Sequence, residues 1–141
     1  MKILFINQVV GPLFAEFLSA KCGDENETTI LCGSGGDLVK NCTTDIVLGP
    51  AYDKASIIKR FVSWVTFSYF VFRYVWRNGR LYDLVVFTTN SPLNNLSIAL
   101  LYLFGRINAI EYMIYDIYPE VIFLRWPWSK FLCFPLMIFR F

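Results

Sequence analysis

Short apolar runs alternate along the chain with longer segments of helical periodicity. The runs are bounded by turn residues, which is typical of strands buried on both faces of a parallel sheet. Five of them predict strands, at residues 3–6, 28–32, 45–48, 83–88 and 109–114. The segments between them predict helices from Pro12 to about Lys21, over residues 56–78, and from Pro92 to Gly105, with Pro119 able to start another. This alternation predicts an α/β fold with a Rossmann-like, doubly wound parallel sheet.

The predicted helix at 56–78 has two different faces. A step of 100° per residue places one arc toward the sheet, comprising Phe61, Trp64, Val65, Ser68, Tyr69, Val71, Phe72, Val75 and Trp76. The opposite arc carries Arg73 and Arg77 together with Ser63, Thr66, Phe67, Phe70 and Tyr74. Cations mixed with aromatic rings suit the surface of an anionic bilayer. An ordinary amphipathic crossover helix explains the pattern equally well.

The composition gives a further reason to expect that part of the apolar surface contacts a membrane or a partner domain. Hydrophobic residues make up 56% of the chain, against about 45–50% in an average globular protein. The net charge of +2 gives no reason to expect nucleic acid as a partner. The charge is uneven, however, because residues 54–80 contain six basic residues and no acidic one. This segment is predicted to form a basic surface patch.

Several classes of chemistry are disfavoured by what the sequence lacks. The chain contains no histidine, which excludes Ser-His-Asp and Cys-His catalysis. Its four cysteines include no CxxC pair, so no metal site is predicted, and no Walker or dinucleotide fingerprint indicates a cofactor. The apolar run at the amino terminus is shorter than the roughly 7–15 residues of a signal peptide. We therefore expect a cytoplasmic protein with reduced thiols.

Candidate binding residues follow the predicted strands. Gly11 allows a backbone to approach a ligand closely at a helix start that favours phosphate, although a tight turn explains it too. Asn90 and Ser91 offer amide and hydroxyl groups at another helix start, and helix capping is the alternative. The glycine-rich stretch at 33–36 lacks the GxGxxG spacing and is interpreted as a flexible turn.

Two carboxylates follow the last predicted strand, within Tyr115-Asp116-Ile117-Tyr118-Pro119-Glu120. After a buried strand, a carboxylate can accept hydrogen bonds from sugar hydroxyls or act as a base. Asp116 is therefore the candidate catalytic residue. Glu120 is a candidate contact to the acceptor, and its alternative role is to stabilise a helix dipole.

Four stretches resemble family 4 glycosyltransferases of the GT-B fold in order and spacing. They are residues 1–8, the Gly11-Pro12 turn, residues 82–92 and the sequence from Tyr115 to Glu120, whose Asp-x-Tyr-Pro-Glu element is the most specific. The resemblance implies that residues 1–125 form the amino-terminal, acceptor-side half of a GT-B architecture. The chain departs from the family by having the single Gly11 in the first loop, and Tyr115-Asp116 where a histidine is often found.

The same resemblance implies an activity and its partners. A nucleotide-sugar would donate its sugar, with retention and without a metal, to a lipid-linked or saccharide acceptor. The donor would be held by a carboxyl-terminal domain, so this half is expected to be inactive unless another subunit supplies that domain. The implied role is surface polysaccharide or glycolipid synthesis at the inner face of the plasma membrane.

Residues 126–141 are predicted to form a separate apolar, aromatic segment, either truncated or facing a membrane. Trp126 and Trp128 would then lie at the bilayer interface. The sequence is also compatible with two other functions. One is a noncatalytic membrane-surface adaptor that recruits a catalytic subunit, and the other is a truncated remnant.

Overall fold

The computed structural model describes residues 1–22, 26–40, 45–89 and 91–114. Its strands are β1 (Lys2–Ile6), β2 (Glu27–Cys32), β3 (Asp45–Leu48), β4 (Leu84–Thr88) and β5 (Ile110–Met113). Its α-helices are α1 (Pro12–Lys21), α2 (Ile57–Asn78) and α3 (Pro92–Leu103), and single turns of 3-10 helix occupy Gly36–Val39 and Gly79–Leu81. All five predicted strands and the three helices that fall in these ranges are present.

The five strands form one parallel sheet in the order β3–β2–β1–β4–β5. Strand β1 is central, with Ile3 opposite Thr28 on one side and opposite Leu84 on the other. The chain first moves outward from β1 to β3, and α2 then carries it back across the sheet to β4. The direction of winding therefore reverses between β1 and β4, which confirms the predicted Rossmann-like, doubly wound sheet.

Alternate side chains of the strands serve two separate cores. On one face, Ile3 and Phe5 of β1 pack with Phe14 and Leu18 of α1. On the other face, Leu4 and Ile6 belong to a cluster with residues from α2 and α3, namely Phe67, Val71, Val75, Ile98 and Leu101. Side chains of a strand alternate between the two faces of a sheet, so β1 is buried on both sides, as its continuous apolar sequence predicts.

The predicted orientation of α2 is wrong in part. Ser63 and Phe67, which the sequence pattern placed outside, are buried. Four residues placed inside are exposed, namely Phe61, Val65, Tyr69 and Trp76, whereas the inward placement of Ser68, Val71 and Val75 is confirmed. The physical reason is that α2 is apolar around most of its circumference, so periodicity alone does not select the buried side. Two polar contacts accompany the observed rotation, one from Gln8 in the loop after β1 to the carbonyl oxygen of Ser63 and one from Ser68 to Asn94 of α3.

Local signals at the helix ends agree with the sequence. The hydroxyl of Ser56 caps α2 by accepting a hydrogen bond from the amide of Lys59, at 3.2 Å. Gly105 follows α3 with φ of +63°, the left-handed conformation in which glycine commonly ends a helix. No helix within the described ranges is both long and apolar enough to cross a bilayer.

Three weak acids that are partly or fully removed from solvent predict how stability depends on pH. Burial raises the pKa of the Tyr74 phenol, whose hydroxyl lies 2.9 Å from that of Tyr82. Burial also raises the pKa of Tyr112 and of the Cys32 thiol. In the unfolded chain such groups ionise near their ordinary values of 9.0 for the thiol and 10.0 for the phenols. The unfolded state then binds fewer protons than the folded state, so stability falls as pH rises through this range.

We therefore expect the urea midpoint to be lower above pH 10.0, the ordinary phenol value, than at neutral pH. Tyr74→Phe removes one of the three groups and is expected to make this decrease smaller. The measurement is urea unfolding followed by circular dichroism at both pH values. A midpoint that does not change with pH would contradict the expectation.

Candidate functional site

The candidate site lies where the winding of the sheet reverses. Strands β1 and β4 are neighbours, with Ile6 opposite Phe87, so the loops that follow them leave the sheet side by side. The first loop, residues 7–11, leads into α1, and the second, which follows Thr88 and includes Thr89 and Ser91, leads into α3. In open α/β sheets, the crevice between two such loops is the usual place for ligands.

A cluster of buried polar residues occupies this position. Apart from Thr28 and Thr29, all the buried polar side chains among the described residues belong to the two loops, to Thr88 at the end of β4, or to the adjoining parts of α2 and α3. We call this set the switch-point cluster, and it consists of Asn7, Gln8, Ser63, Ser68, Thr88, Thr89, Ser91 and Asn94. Since burying polar groups is costly unless they are hydrogen-bonded, such a concentration indicates a functional site.

Hydrogen bonds within the switch-point cluster connect the first loop and both helices. The Nε2 of Gln8 donates to the carbonyl oxygen of Ser63 at 3.0 Å, which joins the loop after β1 to α2. The Ser68 hydroxyl donates to Oδ1 of Asn94 at 2.7 Å and lies 3.4 Å from the Ser91 hydroxyl. These contacts hold α2 against the start of α3. The loop after β1 and the two helices are therefore connected to one another before any ligand arrives.

Two polar atoms of the cluster have capacity left for a ligand. Oε1 of Gln8 and Oγ1 of Thr88 are buried and make no hydrogen bond within the part of the chain that the structure describes. An unpaired buried polar atom costs about 1–3 kcal/mol. A hydroxyl-bearing ligand that reached them would recover that cost. The amide oxygen accepts and the threonine hydroxyl can donate or accept, which matches the hydroxyl groups of a sugar.

Gly11 opens the crevice at the start of α1. Its φ of −104° is available to any residue, and a Cβ built there meets nothing within 4 Å. Neither backbone conformation nor packing therefore requires glycine at this position. The absence of a side chain leaves room for a ligand to approach the backbone at a helix start, where N–H groups attract anions and hydroxyl oxygens.

The glycine-rich stretch supports the Gly11 loop from the neighbouring strand. The amide of Gly33 donates to the carbonyl oxygen of Gln8 at 2.9 Å, and the amide of Val10 donates to that of Ser34 at 3.0 Å. A Cβ on Gly35, whose φ is +79°, would lie 2.2 Å from the carbonyl oxygen of Val10. The stretch packs closely against the loop after β1, with Ser34 bridged to Val9, and its predicted flexibility stays a prediction.

The structure brings Gly11 and Ser91 to the same edge of the sheet. Ser91 is fully buried beside Ser68 and does not cap α3 with its side chain. Strand β5 ends at Met113, opposite Thr88, so the chain leaves β5 at this edge as well. The other residues predicted for the site or the membrane lie outside the described residues and stay predictions, as does the domain division at 125/126. They are Asn90, Asp116, Glu120, Trp126 and Trp128.

Arg73 and Arg77 lie at a different place. Both are exposed on the second half of α2, which runs from the carboxyl edge of the sheet toward its amino edge. With Phe70, Tyr74 and Asn78 they line a groove of about 190 Å³. Neither arginine forms an ion pair with any other described residue. The groove is therefore a basic surface feature that is separate from the switch-point crevice.

Sequence reasoning missed most of the switch-point cluster. Gln8, Thr88 and Asn94 were not identified as candidates, and Ser63 was assigned to the outer face of α2. One signal was available, because Ser68 falls within the apolar arc of α2. A lone hydroxyl on a buried helix face needs a polar partner nearby, and the partner proves to be Asn94.

Metal and thiol chemistry find no support at this site. Among the described residues, no three side chains of the cysteine, aspartate or glutamate type lie close enough to hold a metal ion. Cys32 is a buried free thiol, and the thiol of Cys22 donates to Oγ1 of Thr28 at 3.6 Å. The chemistry of the described site thus rests on amide, hydroxyl and backbone groups.

The sheet and its crevice define a Rossmann-like α/β domain. Comparison with known proteins agrees at the level of the fold. The C-terminal domain of the PF1911 hydrogenase from Pyrococcus furiosus is similar in two crystal structures. The one of residues 83–215 has a TM-score of 0.61 and 14% identity, over 79% of this chain and 90% of that one. The one of residues 78–226 has a TM-score of 0.56 and 15% identity, over 80% and 89%.

A third similar structure is a UGT transferase from Siraitia grosvenorii in complex with UDP. Its TM-score is 0.48 with 9% identity, and the match covers 82% of this chain and 27% of that one. No family model matches the chain, and no curated protein does. At identities this low, the two hydrogenase-domain structures show a shared fold and nothing about activity. The comparisons therefore support a Rossmann-like domain and do not extend to family 4 of the glycosyltransferases.

Proposed function

We propose that this chain is the acceptor-binding half of a retaining glycosyltransferase that uses a nucleotide-sugar donor. In this proposal the switch-point crevice receives a lipid-linked or saccharide acceptor for surface polysaccharide or glycolipid synthesis. A second domain, which these 141 residues do not include, holds the donor. The residues from Tyr115 to Glu120 that resemble family 4 follow β5, and β5 ends at the edge where the crevice lies.

One observation carries this proposal. At the edge of the sheet where the winding reverses, the loop after β1 carries a glycine that neither conformation nor packing requires, and the same edge carries two buried polar atoms, Oε1 of Gln8 and Oγ1 of Thr88, that make no hydrogen bond with any described residue. This combination offers space, backbone amides and hydrogen-bonding side chains at the same edge. Those are the requirements for binding a polar ligand rich in hydroxyl groups.

Each part of the crevice has a separate task in this proposal. Gly11 leaves space for the acceptor, and the first turn of α1 contributes backbone dipoles. Gln8 and Thr88 orient hydroxyl groups. Asp116 would accept the proton of the attacking hydroxyl, and Glu120 would bind the acceptor. Holding the acceptor in the correct orientation contributes to catalysis only when the second domain presents the donor.

Filling the space at Gly11 is expected to impair acceptor binding. Gly11→Val adds a branched side chain whose Cβ has nothing within 4 Å, so we expect the fold to be preserved and the ligand to be obstructed. We expect the affinity for farnesyl-diphosphate-linked N-acetylglucosamine to fall at least about tenfold. The measurement is an NMR titration of the purified chain. Ala20→Val, at an exposed position near the other end of α1, is the matched control and is expected to bind normally.

Two outcomes would contradict the proposal. If Gly11→Val binds this acceptor as tightly as the wild type, the ligand does not use the crevice. If the purified chain alone transfers sugar efficiently from UDP-N-acetylglucosamine to the acceptor, no second domain is required. Circular dichroism and thermal unfolding of both variants verify that each substitution leaves the fold intact.

A noncatalytic membrane-surface adaptor is the second candidate. The observation that favours it is the row of exposed apolar residues on α2, which lies outside the crevice. An adaptor needs this surface and does not need the acceptor. Binding of vesicles without any binding of the acceptor would therefore select the adaptor.

A further inference from the structure

The outward sides of α2 and α3 form an exposed apolar surface. The two helices pack side by side on the same face of the sheet, so both point their outer sides away from it. An edge-to-face contact between Trp76 and Phe104, with ring centroids 5.7 Å apart, connects the two helices. We call this surface the α2–α3 outer face, and it consists of Ile57, Ile58, Phe61, Val62, Val65, Tyr69, Trp76, Leu96, Leu100, Leu103 and Phe104.

The apolar side chains on this face are exposed to an unusual degree. Ile57 is 83% exposed, Ile58 is 76% exposed and Leu103 is 72% exposed. Isolated exposed apolar residues are common, but contiguous patches of this kind mark surfaces that bind a protein or a membrane. The charged residues around this face distinguish a membrane from a protein as its partner.

Cations border the apolar stripe, and no acidic residue interrupts it. Between residues 54 and 80 the chain has six basic residues and no acidic one. Tyr69, Arg73 and Arg77 follow one another at four-residue steps, so they form a single row along α2. At the junction with α3, the guanidinium of Arg106 lies over the ring of Trp76, 4.3 Å from its centroid. The arrangement complements a surface that is apolar inside and negatively charged outside.

We propose that the α2–α3 outer face docks on an anionic phospholipid bilayer. The exposed aliphatic side chains enter the boundary between headgroups and acyl chains, while Tyr69 and Trp76 lie at the level of the headgroups. Arg73 and Arg77 project from the same side of α2 and line the groove of about 190 Å³, where they bind a lipid phosphate. A helix that lies in the plane of the interface needs only one apolar side.

Docking in this orientation brings the crevice to the membrane. The first turns of α2 lie at the carboxyl edge of the sheet, because α2 follows β3. Val62 belongs to the outer face, and the next residue, Ser63, accepts the hydrogen bond from Gln8 in the switch-point cluster. A lipid-linked acceptor would thus meet the crevice beside the bilayer, a consequence that rests on the proposed function. Docking itself is independent of sugar transfer.

Flotation of the full chain with vesicles tests the docking. Wild type is expected to bind vesicles of phosphatidylcholine mixed with phosphatidylglycerol more strongly than vesicles of phosphatidylcholine alone. Ile58→Ser combined with Val62→Ser is expected to weaken the partition coefficient at least about tenfold. Arg73→Gln combined with Arg77→Gln is expected to weaken it about 25-fold on mixed vesicles, at about fivefold for each charge. The same double substitution of the arginines is expected to have little effect on binding to neutral vesicles.

The control uses an exposed leucine and an exposed lysine on the other side of the sheet. Leu38→Ser combined with Lys40→Gln changes the same kinds of side chain in the turn at Gly36–Val39, on the side of α1, and is expected to bind mixed vesicles like the wild type. Gly11→Val is also expected to bind them normally, which separates docking from acceptor binding. Thermal unfolding verifies that every variant is folded.

Two results would overturn the docking proposal. In the first, the Ile58 and Val62 double variant binds mixed vesicles as well as the wild type, which would assign vesicle binding to another part of the chain. In the second, light scattering without lipid finds a wild-type dimer that the same double variant converts to a monomer. The outer face would then be covered by a second copy of the chain.

Discussion

Replacing Phe67 with alanine is expected to lower the free energy of unfolding by about 3–5 kcal/mol. The ring is fully buried on the inner side of α2, in the same cluster as Leu4, Val85 and Leu101. Its removal takes away a large apolar contact and leaves a cavity that the rigid sheet below cannot fill. Urea unfolding followed by circular dichroism measures the change.

Phe61→Ala is the matched control for this prediction, because it removes the same ring from the same helix. Phe61 is 56% exposed on the outer side of α2. We expect it to cost less than about 1 kcal/mol, as is usual for surface substitutions. The opposite ranking of the two variants would mean that α2 packs through the arc that the sequence pattern indicated. The pair therefore tests the rotation of the helix directly.

Gly35→Ala is the second substitution with a large expected effect. Its φ of +79° is unfavourable for alanine, and the added Cβ would lie 2.2 Å from the carbonyl oxygen of Val10. Backbone strain of this kind costs about 1–3 kcal/mol, and overpacking adds about 1–3 kcal/mol more. We expect a total loss of about 2–6 kcal/mol in the free energy of unfolding. The obstructing atom belongs to the backbone, so a change of rotamer does not relieve the clash.

Gly11→Ala provides the comparison for Gly35→Ala within the same pair of loops. Its backbone conformation suits alanine, and the new methyl group would contact nothing within 4 Å. We expect its stability to stay within about 0.5 kcal/mol of the wild type. Equal losses in the two variants would contradict the packing described for the glycine-rich turn. Thermal unfolding of both variants, with the same scan rate, makes the comparison.

The sequence was a good guide to the elements of the fold and a poor one to the rotation of α2. Strands β1 and β4 are short and continuously apolar, and Pro12, Pro92 and Gly105 mark helix ends by their backbone chemistry. Such signals are local, so one sequence reveals them. The side that α2 buries depends on tertiary contacts, including those of Ser68 with Asn94, which are 26 residues apart.

The candidate site was predictable in its location more than in its residues. The switch-point rule places a crevice after β1 and β4, and Gly11 and Ser91 lie there. The structure alone identifies Gln8 and Thr88 as part of the candidate site, because nothing in their local sequence separates a buried polar side chain from an exposed one. Gln8 is covered by α2, to which it donates a hydrogen bond, whereas Thr88 lies on the same side of β4 as Val86, which packs in the core beside α1.

The central position of β1 has a consequence for biosynthesis. This strand is synthesised well before one of its two neighbours, because β4 is some eighty residues further on, and the backbone amide of Lys2 bonds to Asp83 across 81 positions. Until that segment emerges, the open edge of β1 presents unpaired backbone groups and apolar side chains. Pairing between such distant segments is slow. The nascent chain is therefore expected to depend on chaperones until β4 has been synthesised.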